Sequence, residues 1–154
     1  MILIWIPIGK GRIALSNRPK IKSIAKFSEE GCQRIVTIQG SNEQPKQIEQ
    51  AARAAGIFWT WIPVGNGSFP KGETDRLMRI GLHNLIESIE AGESILVHCS
   101  AGIHRTGMLV FAFCRYLGFT ESEALDLIGE MRLVTREGLK VEHLAWGNSI
   151  VEGR

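Results

Sequence analysis

The stretch SILVHCSAGIHRTG, residues 94–107, decides how this 154-residue chain is organised. Its first half predicts a buried strand, because the apolar run is short and is bounded by a helix end and a turn. Cys99 and the small residues after it predict a tight loop, in which Gly102 permits unusual backbone angles. From Thr106 to Leu117 the chain is apolar and predicts a helix. A strand, a tight loop and a helix N-terminus in succession form a site for an anion.

Strand-like and helix-like segments alternate along the rest of the chain. This alternation predicts an α/β fold, in which a mainly parallel central sheet of about four or five strands has helices on both faces. The length fits a single domain over residues 1–154 that can bury a hydrophobic core. The predicted strands are ILIWIPI (2–8), GRIAL (11–15), RIVTI (34–38) and IFWTWIPV (57–64), and the predicted helices cover 17–31, 45–56, 73–92, 120–131 and 140–150.

Local signals give expectations for individual helices. Asn17 predicts the N-cap of the first helix, with Pro19 in its first turn, and Thr120 with Glu123 predicts a capping box. Helical periodicity predicts one buried face on the first helix and one on the third. These faces carry Ile21, Ile24 and Phe27 on the first helix, and Leu77, Ile80, Ile86 and Ile89 on the third.

Two loops with unusual chemistry follow predicted strands. One is HCSAGIHRTG (98–107), and the other is GNGSFPKG (65–72). Binding sites in parallel sheets lie beyond the carboxyl ends of the strands. We therefore expect the two loops to be neighbours.

Composition limits the class of protein. The chain is 44% hydrophobic and 22% charged, as in ordinary globular proteins, and no apolar run approaches the ~18 residues of a membrane span. Residues 1–8 lack a basic leader and a cleavage site, so we interpret them as a strand and expect the protein in the cytoplasm. The three cysteines are an odd number and lack metal-like spacing, which disfavours both a disulfide framework and a zinc site. We expect Cys32, Cys114, His83 and His143 to be core residues.

Basic residues are concentrated at the start of the chain, where residues 1–28 contain no acidic residue. One interpretation is a solvated helix face and loop. The other is a basic rim that attracts an anionic substrate. The six residues concerned are Lys10, Arg12, Arg18, Lys20, Lys22 and Lys26.

The residues after the central strand suit phosphate chemistry. Arg105 can offer two parallel N–H donors to two oxygens of a tetrahedral oxyanion. The helix N-terminus and this cation favour the thiolate of Cys99, which is the nucleophilic form. Thr106 can donate its hydroxyl to the sulfur, and we expect His98 to hold the loop backbone. We predict that the thiolate attacks phosphorus, takes the phosphoryl group and releases it to water.

The segment HCSAGIHRTG resembles the HCxxGxxRTG signature of the cysteine-dependent protein tyrosine phosphatase superfamily, and the absence of long insertions resembles its small dual-specificity branch. The resemblance implies that Cys99 is the nucleophile and that no metal or other cofactor takes part. It also implies a phosphate cradle formed by Ser100, Ala101, Gly102, Ile103, His104 and Arg105.

The chain departs from this family at the general acid. The segment IPVGNGSFP (62–70) resembles the pattern I-P-x-x-D-G-x-x-P but has Asn66 where the acid stands, and an amide cannot supply the proton. Four explanations stay open: Glu73 or Asp75 enters from the next helix, His104 donates, no acid acts, or deamidation of Asn66 creates one. Asp75 is the first choice among them.

A second departure lies at 132–143, RLVTREGLKVEH. Related phosphatases often have a glutamine there that positions the hydrolytic water, and this segment has none. Glu142 and His143 are the candidates for that task.

Three functions follow from these residues. The first is hydrolysis of phosphotyrosine, with phosphoserine and phosphothreonine, in a phosphorylated protein. The second is hydrolysis of another phosphomonoester, such as a phosphoinositide, a nucleotide or an RNA 5′ end, so nucleic acid stays a possible partner. The third is binding of phosphorylated partners without turnover, which Asn66 favours and an intact Cys99, Arg105 and Thr106 oppose.

Overall fold

A five-stranded sheet forms the centre of the computed structural model, which describes residues 2–153. The strand order is β1-β2-β5-β3-β4; β1 is antiparallel to β2, and the other neighbours are parallel. This architecture confirms the predicted α/β fold with a mainly parallel sheet. The strands are β1 Ile6–Ile8, β2 Gly11–Ser16, β3 Arg34–Ile38, β4 Phe58–Ile62 and β5 Ser94–His98.

Helices cover both faces of this sheet. One buried cluster joins the sheet to α3, α4, α5 and α7, and a second joins it to α1 and α2. None of the helices within residues 2–153 has the length and apolar character needed to cross a bilayer. The helices are α1 Ile24–Glu29, α2 Pro45–Ala54, α3 Glu73–Glu90, α4 His104–Tyr116, α5 Glu121–Met131, α6 Leu133–Gly138 and α7 Val141–Glu152, with 3₁₀ turns at Ile21–Ser23 and Ser41–Glu43.

The middle strand β5 positions the loop that follows it. All five of its residues are buried, as its apolar sequence predicts for a strand between two parallel neighbours. His98, its last residue, is in register with Ser16 of β2 and with Thr37 of β3. The carboxyl ends of three strands therefore meet beside Cys99.

The first predicted helix differs from the structure. Asn17 is not its cap, because the helical region begins only after Lys20, whose backbone is extended (φ −66°, ψ 137°). The backbone N–H of Arg18 donates to the carbonyl of Ser100 (2.8 Å), and this tertiary bond holds the chain out of a helix. Ile21 is 43% exposed, whereas Ile24 and Phe27 of the predicted stripe are buried.

Other expectations are corrected or confirmed. The first strand begins at Ile6 rather than at residue 2, and α6 was not predicted from the sequence. Ile80 is 45% exposed and His83 is exposed, so neither is a core residue.

The capping box is confirmed by the bonds from Glu123 N to Thr120 Oγ1 (3.1 Å) and from Thr120 N to Glu123 Oε1 (2.9 Å). The burial expected of Cys32 and Cys114 is confirmed, and burial raises their thiol pKa values to about 11 and about 12.

Candidate active site

The loop from Cys99 to Ile103 is tied down through its carbonyl groups. The carbonyl of Cys99 is bonded to His98 Nδ1 (2.8 Å) and that of Ser100 to the N–H of Arg18 (2.8 Å). The carbonyls of Ala101 and Gly102 also accept hydrogen bonds from residues outside the loop. Their donors are Arg132 Nη1, at 3.2 Å from Ala101 O and 3.0 Å from Gly102 O, and Thr135 Oγ1, at 2.5 Å from Gly102 O.

This outward anchoring decides where the N–H groups point. In a trans peptide the C=O and the following N–H point in opposite directions, so outward carbonyls turn the next N–H groups inward. The N–H groups of residues 100–103 accordingly have no protein acceptor within the described chain. They form a nest of donors of the kind that binds an anion.

Gly102 is required by this curvature. Its φ of +71° lies in the left-handed region, and a Cβ at this position would collide with the carbonyl oxygen of Ser16. The loop therefore packs directly against the end of β2.

Cys99 lies at the base of the loop, and the residue is only 2% exposed. The hydroxyl of Thr106, in the first turn of α4, donates to Sγ at 3.1 Å. Such a donor stabilises a sulfur that carries negative charge.

A chain of hydrogen bonds reaches Cys99 from the edge of the sheet. Trp59 Nε1 donates to Thr37 Oγ1 (2.9 Å), which lies 2.8 Å from His98 Nε2. A carbonyl only accepts, so His98 Nδ1 must carry the proton that bonds Cys99 O, and Nε2 of the neutral ring must accept from Thr37. Complete burial lowers the pKa of His98 to about 4, which keeps the ring neutral.

Arg105 is held by Glu43. Its Nη1 and Nη2 bond the two carboxylate oxygens of Glu43 at 2.7 and 2.9 Å, and Nη1 also donates to the carbonyl of Val64 (2.8 Å). Three of its five N–H groups are thus engaged. The hydrogen bond from Arg105 is the main reason that the pKa of Glu43 is lowered to about 2.

The two remaining N–H groups of Arg105, on Nε and Nη2, have no protein acceptor within residues 2–153. They lie on the same edge of the guanidinium plane. That edge is the fork that binds two oxygens of a phosphate group.

Arg18 fastens the segment that supplies Glu43. Its guanidinium donates to Gln39 Oε1 (2.6 Å), Glu43 O (2.9 Å) and Gln44 O (2.9 Å). Gln44 has a φ of +60°, which is costly for a residue with a side chain. Arg18 therefore stabilises a strained turn beside the site.

The basic N-terminal segment divides into two groups. Arg18 is engaged in this turn, and Arg12 is bonded to Ser94 Oγ and to the carbonyl of Glu30 (both 2.7 Å). The four lysines are exposed: Lys10, Lys20, Lys22 and Lys26.

A cavity of about 320 Å³ opens beside Arg105. Residues 66–69 form one side of it and His104 another, which confirms that the two predicted loops are neighbours. Three rings stack along its wall: Phe69 lies 5.6 Å from His143, and His143 lies 4.3 Å from His104, between ring centroids.

Comparison with known families decides the classification. The family described as "Tc-R-P: Polymorphic toxin system, DSP-PTPase phosphatase" matches residues 9–118, which is more than half of the chain. The chain belongs to this family. It is therefore a cysteine-type phosphatase of the DSP-PTP superfamily, while a search of the curated proteins found no match.

Solved phosphatases share the fold of this DSP-PTPase phosphatase at low sequence identity. Tk-PTP in its active form is 21% identical with a TM-score of 0.72, covering 94% of this chain and 93% of its own. Kinase associated phosphatase (KAP) is 14% identical with a TM-score of 0.76, covering 99% and 96%. The core catalytic domain of the PP-IP phosphatase SIW14 from S. cerevisiae is 17% identical with a TM-score of 0.68, covering 94% and 83%.

The acid candidates differ in position. Asn66 lines the cavity, but Asp75 does not. The Asp75 carboxylate accepts from Arg79 Nε (2.9 Å) and Trp146 Nε1 (2.9 Å). Burial alone would raise the pKa of Asp75, but these two donors outweigh it and the pKa is lowered. In this arrangement Asp75 has no proton to give, and its acid role stays a prediction.

Sequence reasoning did not find several residues of the site. Glu43, Arg132 and Thr135 contact the loop from segments far away along the chain. One indication for Glu43 was present in the sequence, namely its position after strand β3. The carboxyl ends of parallel strands lie together, so Glu43 is on the same side of the sheet as Cys99. His143 is buried as expected, but it lines the cavity instead of lying in the core.

Proposed function

We propose that this phosphatase hydrolyses phosphotyrosine in proteins, with phosphoserine and phosphothreonine as further substrates, through a cysteinyl-phosphate intermediate. The arrangement of one loop carries the proposal. Thr106 Oγ1 lies 3.1 Å from Cys99 Sγ, and Arg105, which has two unpaired N–H groups among the described residues, lines the cavity. A sulfur nucleophile, a donor for that sulfur and a phosphate fork thus converge.

The first step transfers the phosphoryl group to Cys99. The thiolate attacks phosphorus, an S–P bond forms, and the P–O ester bond breaks with its electron pair on the leaving oxygen. The inward N–H groups of residues 100–103 and the two free N–H groups of Arg105 bind the non-bridging oxygens. These donors stabilise the charge that the transferring group carries.

The second step regenerates the thiolate. Water attacks phosphorus and loses a proton to solvent, the S–P bond breaks, and its electron pair returns to Sγ as inorganic phosphate leaves. The Thr106 hydroxyl, 3.1 Å from Sγ, stabilises the departing thiolate.

The cavity wall favours an aromatic leaving group. Phe69, His143 and His104 give the cavity an aromatic wall, and aromatic groups pack favourably against a phenol ring. A phenol also leaves more readily than an alcohol, because its pKa is about 10. This suits a site in which Asn66 stands at the position of the usual acid.

A second candidate is a phosphate ester that is not part of a protein. Lys140 lines the cavity, and four exposed lysines lie in residues 1–28. Cationic groups of this kind attract a substrate with several phosphates. One structural neighbour, SIW14, is described as a PP-IP phosphatase.

The experiment is a comparison of phosphate release from several substrates. They are a phosphotyrosine peptide, the matched phosphoserine peptide, a soluble inositol phosphate and an RNA with a 5′ phosphate. We expect the highest kcat/KM for phosphotyrosine, no turnover by Cys99→Ser, and nearly wild-type turnover by the control Cys32→Ala. A preference for the inositol phosphate or the RNA would favour the second candidate. No turnover of any substrate would leave a phosphate-binding protein without activity.

A further inference from the structure

His143 lines the cavity and has one ring nitrogen engaged and one free. Its Nδ1 accepts from the backbone N–H of Lys140 (2.9 Å) at the start of α7. The residue is only 5% exposed, and it lines the cavity. Its Nε2 has no protein partner in the described part of the chain.

This nitrogen is not sealed inside the protein. Trp5 Nε1 is the only fully buried side-chain nitrogen or oxygen without a partner among residues 2–153. His143 Nε2 is therefore accessible, and the cavity is the space that the ring borders. The stack on His104, at 4.3 Å between centroids, fixes the plane of the ring beside the first turn of α4.

The contact with Lys140 also decides the tautomer. A nitrogen that accepts an N–H bond carries no proton, so the neutral ring of His143 has its proton on Nε2. Burial, His104 and Lys140 lower the pKa of His143 against the opposing effect of Glu142. The cavity thus has a neutral N–H donor with a fixed direction.

We propose that His143 is a catalytic residue that donates a hydrogen bond from Nε2 to the leaving oxygen of the substrate. This inference rests on the proposed function, since it concerns the first chemical step. As the P–O bond breaks, negative charge develops on the phenolic oxygen, and the N–H of His143 stabilises it without transferring its proton. The released phenolate then takes a proton from solvent.

Such a donor fits a site without the usual acid. The Asn66 amide can form a hydrogen bond but cannot give a proton, and Asp75 is directed at Arg79 and Trp146. A preorganised donor at a developing oxyanion lowers the barrier most when the leaving group is poor. The effect of His143 should consequently grow with the pKa of the leaving phenol.

The test is a series of aryl phosphates from 4-nitrophenyl phosphate to phosphotyrosine. His143→Phe keeps a planar ring but removes the donor, and His143→Gln keeps both an acceptor for Lys140 and an N–H donor. We expect His143→Phe to lower kcat/KM for phosphotyrosine by about 100-fold and for 4-nitrophenyl phosphate by less than about threefold. His143→Gln should recover most of the loss, and His83→Phe, at an exposed position of α3, should match the wild type.

Several outcomes would contradict the proposal. An equal fold-loss on all esters leaves the slope of log kcat/KM against leaving-group pKa unchanged. That result would exclude the contact with the leaving oxygen and would indicate a role in packing or binding. If thermal melting shows that His143→Phe is unfolded, His143→Glu takes its place in the test. Glutamate keeps a capping acceptor for Lys140 but has no N–H donor when it is ionised. Inhibition by inorganic phosphate then measures the effect of its charge separately. If Cys99→Ser kept the activity of the wild type, the proposed function itself would be wrong. That result is distinct from any result obtained with the His143 variants.

Discussion

Thr37 Oγ1 lies 2.8 Å from Nε2 of His98, and both side chains are completely buried. Thr37 accepts from Trp59 on one side and donates to His98 on the other. Its hydroxyl therefore orients the ring that holds the carbonyl of Cys99. A residue of β3 that does not line the cavity thus helps to shape the loop after β5.

Thr37→Val should destabilise the protein. Valine has nearly the same shape, but it leaves the Trp59 donor and the His98 acceptor without a partner. An unsatisfied buried group costs about 1–3 kcal/mol. His98 is completely buried whereas Trp59 is partly exposed, so we expect a loss of at least about 1 kcal/mol in the free energy of unfolding. Urea unfolding measures it, and Thr37→Ser, which keeps the hydroxyl, is the matched control. Equal stability of the two variants would show that the hydroxyl is not needed.

Acid should destabilise the protein through His98. The folded pKa is about 4 and the ordinary value is 6.5. Between these two values only the unfolded state binds the proton. The contribution of neutral His98 to the free energy of unfolding should thus be fully present above pH 6.5. It should fall by up to about 1.4 kcal/mol per pH unit as the pH drops toward 4. Urea unfolding across this range is the measurement, and His98→Gln should show a smaller slope. An identical slope would assign the effect to other groups.

Gly102→Ala should disrupt the loop more than its backbone angle alone explains. Gly56 has a closely similar φ (+74°), but a Cβ there would meet nothing within 4 Å, whereas a Cβ on Gly102 would meet the Ser16 carbonyl. Gly56→Ala should cost only the strain of the left-handed region, about 1–2 kcal/mol. Gly102→Ala should cost more and should lower kcat/KM as well. If Gly102→Ala and Gly56→Ala lost the same stability and Gly102→Ala kept the wild-type kcat/KM, the loop would tolerate the contact between the added Cβ and the Ser16 carbonyl.

The parts of the fold that depend on neighbouring residues were predictable. The apolar run of β5, the capping box of Thr120 and the order of Cys99, Gly102 and Arg105 are contained in short segments. Their geometry follows from local backbone chemistry, and the alternation of elements then determines the sheet.

The parts that depend on distant segments were not predictable. Asn17 has the side chain of a helix cap, but the bond from Arg18 N to Ser100 O holds that segment extended. Glu43 stands in a polar stretch like any surface turn, and only the folded chain brings it to Arg105. No local pattern records such a pairing, because its stabilising energy arises after the strands have assembled.

Glu43→Gln should weaken the hold on Arg105. A glutamine has one acceptor oxygen where the carboxylate uses two, and it removes the charge that balances an arginine of 4% exposure. We expect a loss of roughly 10- to 100-fold in kcat/KM and weaker inhibition by inorganic phosphate. Glu49→Gln on α2, which breaks pairs with Lys46 and Arg53, is the control. Wild-type phosphate inhibition in Glu43→Gln would contradict this role.

The low pKa of Glu43 adds a pH dependence. Because the folded pKa is lowered to about 2, the ion pair contributes stability that is complete above the ordinary value of 4.5 and is lost as the pH falls through about 2. Unfolding of wild type and Glu43→Gln should therefore converge in strong acid. A constant difference down to pH 2 would mean that the carboxylate charge is not what stabilises the site.

Asn66→Asp should place a proton donor at the position of the usual general acid. Asn66 lines the cavity that Arg105 borders, so a carboxyl at this position can approach the leaving oxygen. General acid catalysis is worth about 10²–10⁴-fold, and the gain should be greatest for poor leaving groups. We expect kcat for phenyl phosphate to rise at least about 10-fold, while that for 4-nitrophenyl phosphate changes little. The rate should also acquire a decrease at high pH, where the new carboxyl is ionised. Equal or lower rates on every ester, with unchanged thermal stability, would show that residue 66 does not approach the leaving group.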